Sequence, residues 1–403
     1  MPSKMEGQAS VPITVVHIIT TLELGGAQQN TLYTVSHLDP ARYKAVLLAG
    51  PEGLLWPEAR TLDGVAVYCI DALQRRIHPI RDLVALWCIF RILHRLKRHS
   101  QLIVHTHSSK AGILGRLAAR VAGISVIIHS IHGYGFHTQQ SRVLQRILVA
   151  VEWVMARITT RFIAVAQANI VQGEALGLFR RAGVDLIRSG IRIRSGQFEN
   201  DDAVNIRKSL GVSESAALVG MVACLKPQKA PLDFVELAAR VRNEIPDVRF
   251  LLVGDGDLRP DVERLVHTIG LERTVILAGW RRDVPEILNA LDVFVLTSRW
   301  EGLPRVVLEA IAAGTPVVAT AVDGTVEALE RIADGTRGYL VAPGDLSTMA
   351  DRVVGIINHQ PDAPIKSRHD GILPAEFDID TMVRQQIHLY DELLIEQGML
   401  EAV

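Results

Sequence analysis

At 403 residues, with 48% apolar and only 5% aromatic side chains, the chain is too long for one typical core. It fits two domains of about 200 residues each, built around buried aliphatic strands. The net charge of −1 hides an asymmetry: residues 1–190 hold 21 Lys+Arg against 11 Asp+Glu, and the remaining 213 hold 22 against 33. Three cysteines (Cys69, Cys88 and Cys224), odd in number and without metal-like spacing, argue against a disulfide framework and for a reducing, cytoplasmic setting.

The first strand-like run, Ile13–Ile19, is too short and lacks the basic flank of a secretory leader. Strands are then expected at Lys44–Leu48, Val65–Ile70, Leu102–Thr106, Val126–Ser130 and Phe162–Val165, separated by amphipathic runs such as Leu83–Leu96 and Lys110–Ala122. The apolar stretch Ile147–Val165 is interrupted by Glu152, Arg157 and Arg161, so no membrane span is expected. Polar residues cluster at Ser189–Ser215, where a linker is expected. Beyond it, strands are expected at Leu218–Ala223, Arg249–Val253, Val275–Leu277, Val293–Leu296, Pro316–Thr320 and Tyr339–Val341, with helices at Pro231–Asn243, Asp261–Ile269 and finally Ile379–Glu396. Alternation of this kind predicts α/β architecture: two doubly wound parallel sheets covered by helices, with ligands beyond the carboxyl ends of the strands. The expected domains are residues 1–195, 196–375, and a terminal helix, 376–403, returning to the first.

One motif carries the most chemistry. After Val293–Leu296 comes Ser298-Arg299-Trp300-Glu301-Gly302-Leu303-Pro304-Arg305-Val306-Val307-Leu308-Glu309. Pro304 suits the first helical position, which leaves Glu301 in the loop and Glu309 inside the helix. Backbone N–H groups from Gly302 to Arg305 then lie between them at the positive helix end, which accepts phosphate. A carboxylate on either side accepts hydrogen bonds from hydroxyl groups. The site therefore suits a diphosphate with a sugar at each end, that is, a nucleotide sugar. Glutamates also occur at strand-to-helix junctions for purely structural reasons, so the context must decide.

Gly25-Gly26 follows the first strand and opens a helix, where glycine permits close ligand approach or simply a tight turn. His129, His132 and His137 fall within nine residues, but no nearby carboxylate or cysteine completes a metal set, so no metal is expected. Any one of them is more often a satisfied structural histidine; His132, ahead of a Gly-rich loop, is the best candidate to touch a sugar hydroxyl or a backbone carbonyl. Lys226 and Lys229 follow the first strand of the second half, where a lysine can neutralise a diphosphate leaving group. Gly254-Asp255-Gly256 lacks the third glycine of a dinucleotide fingerprint and reads better as a turn.

These motifs together resemble the family-4 retaining glycosyltransferases of GT-B fold. The matching pieces are Leu24-Gly25-Gly26-Ala27, His105-Thr106-His107-Ser108-Ser109-Lys110-Ala111, His132-Gly133, Lys226-Pro227-Gln228-Lys229, Val253-Gly254-Asp255-Gly256, Glu301-Gly302 with Glu309, and Gly314-Thr315-Pro316-Val317-Val318. The resemblance implies two Rossmann-like domains facing a cleft, and transfer without a metal or cofactor and with retained anomeric configuration. It implies that Glu301 contacts donor-sugar hydroxyls, Glu309 the ribose and Lys229 the diphosphate. His132 would line the sugar site, with Gly25 and Gly26 near phosphate and acceptor. The catalytic set is thus His132, Lys229 and Glu301; the donor-binding set is Gly25, Gly26, Lys226, Gly302, Leu303 and Glu309. Two departures stand out: Cys224 replaces a frequent arginine, and Asp323-Gly324 replaces a frequent Gly-Gly before Glu327.

The expected function is transfer of a sugar from a nucleotide donor, UDP-linked by expectation, to a glycan or lipid-linked glycan in cell-surface polysaccharide assembly, with no role for nucleic acid. Between Arg75 and Arg98, seven Lys+Arg oppose only Asp82, beside Leu83, Leu86, Trp87, Ile89, Phe90, Ile92 and Leu93. Such a helix either lies on an anionic inner membrane face or simply covers the sheet. A nucleotide-sugar epimerase and a non-catalytic nucleotide-sugar-binding protein stay open as alternatives.

Overall fold

The computed structural model describes residues 13–136, 140–192, 200–332, 338–359 and 373–400. His137 and the expected boundary between residues 195 and 196 lie outside them. The chain divides into two compact units: one runs up to residue 165 and adds 170–187 and the chain from 383 on, and the other comprises 166–169 and 188–382.

The first unit holds seven parallel strands: β1 Ile13–Ile19, β2 Tyr43–Ala49, β3 Val65–Cys69, β4 Gln101–His107, β5 Val126–Ile131, β6 Arg161–Ala164 and β7 Gly183–Leu186, in the order β3-β2-β1-β4-β5-β6-β7. The central strand β1 is buried along its whole length, as a strand covered by helices on both faces must be. The apolar stretch 147–165 is divided between the helix Arg142–Ala156 and β6. Strand β7 was not expected. Its Gly-Val-Asp-Leu sequence is too short to announce itself, and it forms by pairing along β6 from Arg161↔Gly183 to Ala164↔Leu186.

The second unit holds six parallel strands: β8 Leu218–Val222, β9 Arg249–Val253, β10 Val275–Gly279, β11 Val293–Leu296, β12 Val317–Thr320 and β13 Gly338–Val341, in the order β10-β9-β8-β11-β12-β13. In each sheet the winding reverses beside the first strand, between β1 and β4 and between β8 and β11. Ligands of open α/β sheets lodge outside the strand ends at such switch points. Among the described residues, no helix is long and apolar enough to cross a membrane.

Two helix-to-sheet contacts in the first unit depend on glycine. Along the helix Ser109–Val121, a Cβ at Gly112 would meet His129 Cε1 at 2.5 Å, and one at Gly115 would meet Thr106 Cγ2 at 2.8 Å. Both helical residues must be bare for the helix to sit on the polar inner face of β4 and β5.

Candidate functional site

The carboxyl ends of β8 and β11 hold the charged residues of the second unit. After β8 the chain turns through a 3₁₀ segment, Pro227–Lys229, into the helix Pro231–Glu244. After β11, Thr297 donates to the carbonyls of Lys229 and Ala230 at 2.9 and 3.0 Å. The Arg299 N–H donates to the Gln228 carbonyl at 2.8 Å, and Gln228 Nε2 returns to the Trp300 carbonyl at 2.9 Å. The two loops are thereby joined along their length, and the ammonium of Lys229 reaches the carboxylate of Glu301.

Glu301 is 6% exposed, so its charge needs partners to be tolerated. Besides Lys229 it accepts from Ser298 Oγ at 2.5 Å, and its own N–H donates to Asp323 Oδ2 at 2.8 Å. Burial raises the pKa of Asp323, opposed by that N–H. Ala230 and Asp323 adopt the left-handed region, with φ of +45° and +37°, conformations that cost about 1–3 kcal/mol for a non-glycine residue. The local strain thus lies on the residue that follows Lys229 and the residue that holds the Glu301 backbone. A Cβ at Gly324 would meet the Gly302 carbonyl oxygen at 1.9 Å, so the Asp323-Gly324 pair packs directly on the Glu301-Gly302 loop.

The helix begins one residue later than expected. It spans Arg305–Ala312, and Pro304 is its N-cap, with φ −74° and an extended ψ of 99°. Proline satisfies the φ requirement, but its ψ is not helical, so Arg305 takes the first helical position. Its side chain is 11% exposed and pairs with Glu309 at 3.3 Å. Burial lowers the pKa of Arg305, opposed by the Glu309 charge. Pro304 supplies no capping side chain, so the first turn of this helix takes no acceptor from its N-cap residue. Gly302 and Leu303 are buried and Lys226 is half-buried beside these loops.

In the first unit, Gly25 caps the helix Gly26–Ser36 without a side-chain bond. A Cβ there would meet only the end of the flexible Gln28 side chain, so packing within the unit does not demand this glycine. His132 follows β5, half-buried, and its Nε2 lies 3.1 Å from His107 Nδ1. His107 Nε2 lies in turn 2.9 Å from His17 Nδ1. Burial holds the pKa of His17 down at about 3 and that of His132 at about 4, and those of His105, His107 and His129 well below the ordinary value. These rings are neutral at pH 7.

Of the histidines weighed as metal ligands, His137 lies outside the described residues, and neither His129 nor His132 belongs to the cluster found among the described residues. That cluster is His17, His105 and His107, whose ligand atoms lie within 4.8 Å of one another. His129 points the other way, to Thr106 Oγ1 at 2.9 Å. Sequence reasoning also passed over Ser298, Arg305 and the structural use of Asp323. The Gly254-Asp255-Gly256 segment is a turn, with Asp255 O accepting from the Leu225 N–H at 2.9 Å and Asp255 Oδ1 from the Gly256 N–H at 2.7 Å.

The helix between Arg75 and Arg98 spans Pro79–Lys97, and the core takes Ala85, Ile89 and Leu93. Leu86, Phe90 and Ile92 pack partly against that core. The exposed apolar face is therefore Ile80, Leu83, Val84 and Trp87, narrower than the sequence list, with Arg91 stacked 4.5 Å from the Trp87 ring centroid.

Comparison with known proteins matches both units. Residues 25–188 match the family described as "Glycosyl transferase 4-like domain", and residues 216–359 match "Glycosyl transferases group 1". The chain is 32% identical over 355 residues to the Escherichia coli UDP-Gal:alpha-D-GlcNAc-diphosphoundecaprenol alpha-1,3-galactosyltransferase, covering 85% of this chain and 88% of that protein. In fold it is similar to Anabaena HepE, solved with UDP and glucose (TM-score 0.76, 21% identity, 94% of this chain and 99% of the other). It is also similar to WaaG, a glycosyltransferase involved in lipopolysaccharide biosynthesis (TM-score 0.72, 15% identity, 93% and 99%). With two parallel-sheet units of this topology and matches across both, the chain belongs to the family-4 glycosyltransferases of GT-B fold.

Proposed function

We propose that the protein transfers a sugar from a UDP-sugar to a glycan carried on a lipid diphosphate, with retention of anomeric configuration and without a metal, in cell-surface polysaccharide assembly. The observation that carries this reading is the buried Glu301 held by Lys229 and Ser298 beside a helix start. The diphosphate accepts Lys229, which shifts from the Glu301 carboxylate toward the leaving group as negative charge grows there. Lys226 adds a second cation at the same turn, in place of the arginine absent at Cys224. Glu301, released from one partner, accepts a hydroxyl of the donor sugar, and Glu309, braced by Arg305, accepts the ribose hydroxyls. The loop of Gly302 and Leu303 presents backbone N–H groups to phosphate, and Gly25-Gly26 admits phosphate or acceptor against bare backbone. His132 bonds a sugar hydroxyl.

In the transfer step the bond between the anomeric carbon and the diphosphate oxygen breaks. The acceptor oxygen bonds to that carbon on the same face, and its proton passes to the departing phosphate oxygen. A UDP-containing solved neighbour and the curated bacterial relative, whose name specifies a UDP-sugar donor and an undecaprenyl-diphosphate-linked acceptor, support the donor and acceptor classes. The basic, apolar-faced helix Pro79–Lys97 supports recruitment to the anionic membrane that would carry such an acceptor.

The test is turnover of a UDP- and GDP-sugar panel with and without a polyprenyl-diphosphate glycan, in chelator, with product anomers assigned by NMR. UDP release and an α-linked product from an α-linked donor are expected only with the acceptor present. Donor epimerised without acceptor, or bound without turnover in lipid extract, would overturn the reading.

A further inference from the structure

The histidines of the first unit form an ordered chain. Starting at His132 Nε2, the links are His107 Nδ1 at 3.1 Å, His107 Nε2 to His17 Nδ1 at 2.9 Å, and His17 Nε2 to Tyr390 Oη at 3.3 Å. They continue from Tyr390 Oη to His105 Nδ1 at 2.7 Å and from His105 Nε2 to Ser130 Oγ at 2.7 Å. Topology explains the assembly. His105 and His107 lie two residues apart on β4 and so face the same way. The register pairs His17 with His105 and Ser130 with His107. Tyr390, on the helix Ile379–Glu396, is fully buried against that face.

A neutral imidazole has one N–H and one lone pair. Along the run from His132 through His107 to His17 every link must therefore point the same way, because a reversed link would set two N–H groups or two lone pairs against each other. Tyr390 Oη has one proton and can accept twice, so this run takes one polarity when the phenol donates to His17 and the other when it donates to His105. Tyr390 selects between them: its hydroxyl is 0.6 Å nearer His105 Nδ1 than His17 Nε2. A phenol donates more strongly than it accepts, so its proton occupies the short link. His105 then donates from Nε2 to Ser130, His17 donates from Nε2 to the phenol oxygen, and His107 donates from Nε2 to His17.

We propose that Tyr390, through His17 and His107, is a positioning residue that fixes His132 as the Nε2–H tautomer, leaving its Nδ1 as a lone pair that accepts a hydroxyl of the bound sugar. The proposal rests on the reading that His132 serves the donor-sugar site. No proton needs to travel along the chain; it acts by orientation alone. A metal at His17, His105 and His107 is disfavoured by the same geometry. Each ring nitrogen already has a hydrogen-bond partner, and the partners, all histidine, tyrosine or serine, bring no carboxylate to offset a buried dication.

The experiment is 15N NMR of the full chain labelled at histidine, with and without Tyr390→Phe, alongside turnover of the donor found active. In the unmodified protein, His132 Nδ1 is expected at the unprotonated-nitrogen shift and Nε2 at the protonated one. Tyr390→Phe should move both toward the averaged position of mixed tautomers and lower kcat about tenfold, the equivalent of one neutral hydrogen bond. Ser130→Ala, at the far end, should keep the His132 tautomer and guards against failure of the tyrosine variant to fold. Phe162→Leu, a core change outside the chain, should lower Tm without moving the His132 signals. A protonated Nδ1 in the unmodified protein, or His132 shifts indifferent to Tyr390→Phe, overturns the proposal. So does stoichiometric zinc uptake that shifts His17, His105 and His107 together. Shifts that respond while turnover does not would remove His132 from the donor site and overturn the catalytic part, even if the chain transfers sugar by its other residues.

Discussion

In the second unit the strand ends carry an ion pair, Lys229 with Glu301, set between Ser298 and Asp323; in the first unit they carry His17, His105, His107 and His132, all held neutral by burial. The surfaces are contrasted in the opposite sense. Among the described residues, the exposed large apolar side chains fall almost wholly in the first unit, including Ile77, Ile80, Leu83, Trp87, Val143, Ile147 and Trp153, while the second unit contributes Val204. One sheet end thus offers full charges suited to a diphosphate, and the other offers oriented neutral donors and acceptors suited to hydroxyl groups. A carboxylate beside these histidines would favour their protonated form, whereas burial alone keeps His17 and His132 neutral.

The largest expected effect breaks the charged side of this contrast. Lys229→Ala leaves the buried Glu301 with Ser298 as its remaining side-chain partner and removes the cation proposed for the leaving group. A loss of roughly 10²–10³ in kcat is expected, the range seen when a preorganised charge-stabilising group is deleted. Steady-state kinetics on the cognate donor checks it, and Lys229→Arg should recover part of the loss because charge, rather than shape, is what the position supplies.

The neutral side is broken by acid. His17, His105, His107 and His129 are buried with folded pKa values below the unfolded value of about 6.5. The unfolded chain therefore binds more protons below that pH. Their contribution is fully present above pH 6.5 and is lost as pH falls toward the folded values, near 3 for His17. Each histidine in that window lowers stability by up to about 1.4 kcal/mol per pH unit. The first unit should accordingly unfold before the second between about pH 6 and pH 4. Thermal melts across that range, with peptide-resolved hydrogen exchange to assign the unit, check the order. Equal acid sensitivity of the two units would mean that the histidines are not held neutral.

How much of this was legible beforehand follows from the distance over which each feature is encoded. The aliphatic strands carry their signal locally, so β1, β9 and β11 stand where the sequence places them. Strand β7 exists only through its pairing with β6 and left no local mark. Lys229 and Glu301 were each singled out by their own neighbourhoods, but their contact joins positions 72 residues apart. The histidine chain is harder still, since its Tyr390 link to His105 spans 285 residues. One local clue was present: His105 and His107 stand two residues apart in a strand, just after the apolar Leu102, Ile103 and Val104, and that spacing places two polar rings on one buried face. The sequence reading followed the cluster at 129–137 because those residues are close in the chain, and strand alternation sends His129 to the opposite face.

A subtler variant tests how tightly the second unit's loop is built. Gly324→Ala places a methyl 1.9 Å from the Gly302 carbonyl oxygen, and backbone rather than a flexible side chain must give way. The Glu301-Gly302 loop should shift. The donor KM should rise about tenfold and Tm should fall by several degrees, in line with the roughly 1–3 kcal/mol typical of an overpacked site. An unchanged KM with a lowered Tm would separate packing from donor binding and show that the loop's position is not set by Asp323-Gly324.

The smallest expected effect sharpens the surface half of the comparison. Trp87 is 56% exposed, so Trp87→Ser removes little buried area and should change stability by no more than about 0.5 kcal/mol. A large apolar ring kept in water beside Arg91 has no evident use in the folded chain, but it would be useful at a lipid interface, where aromatic side chains and cations settle together. Flotation with vesicles containing phosphatidylglycerol at low salt should show binding of the unmodified protein, weakened several-fold by Trp87→Ser and abolished at high salt, where the attraction of Arg76, Arg81, Arg91 and Arg95 is screened. Binding that resists salt but not the serine would assign the apolar face as the main contact. Binding that follows salt alone would leave the arginines as the contact and Trp87 as an ordinary exposed ring. No binding at any salt would confine the protein's contrast of surfaces to folding and solubility, and the proposed lipid-linked acceptor would then have to be met without a docked enzyme.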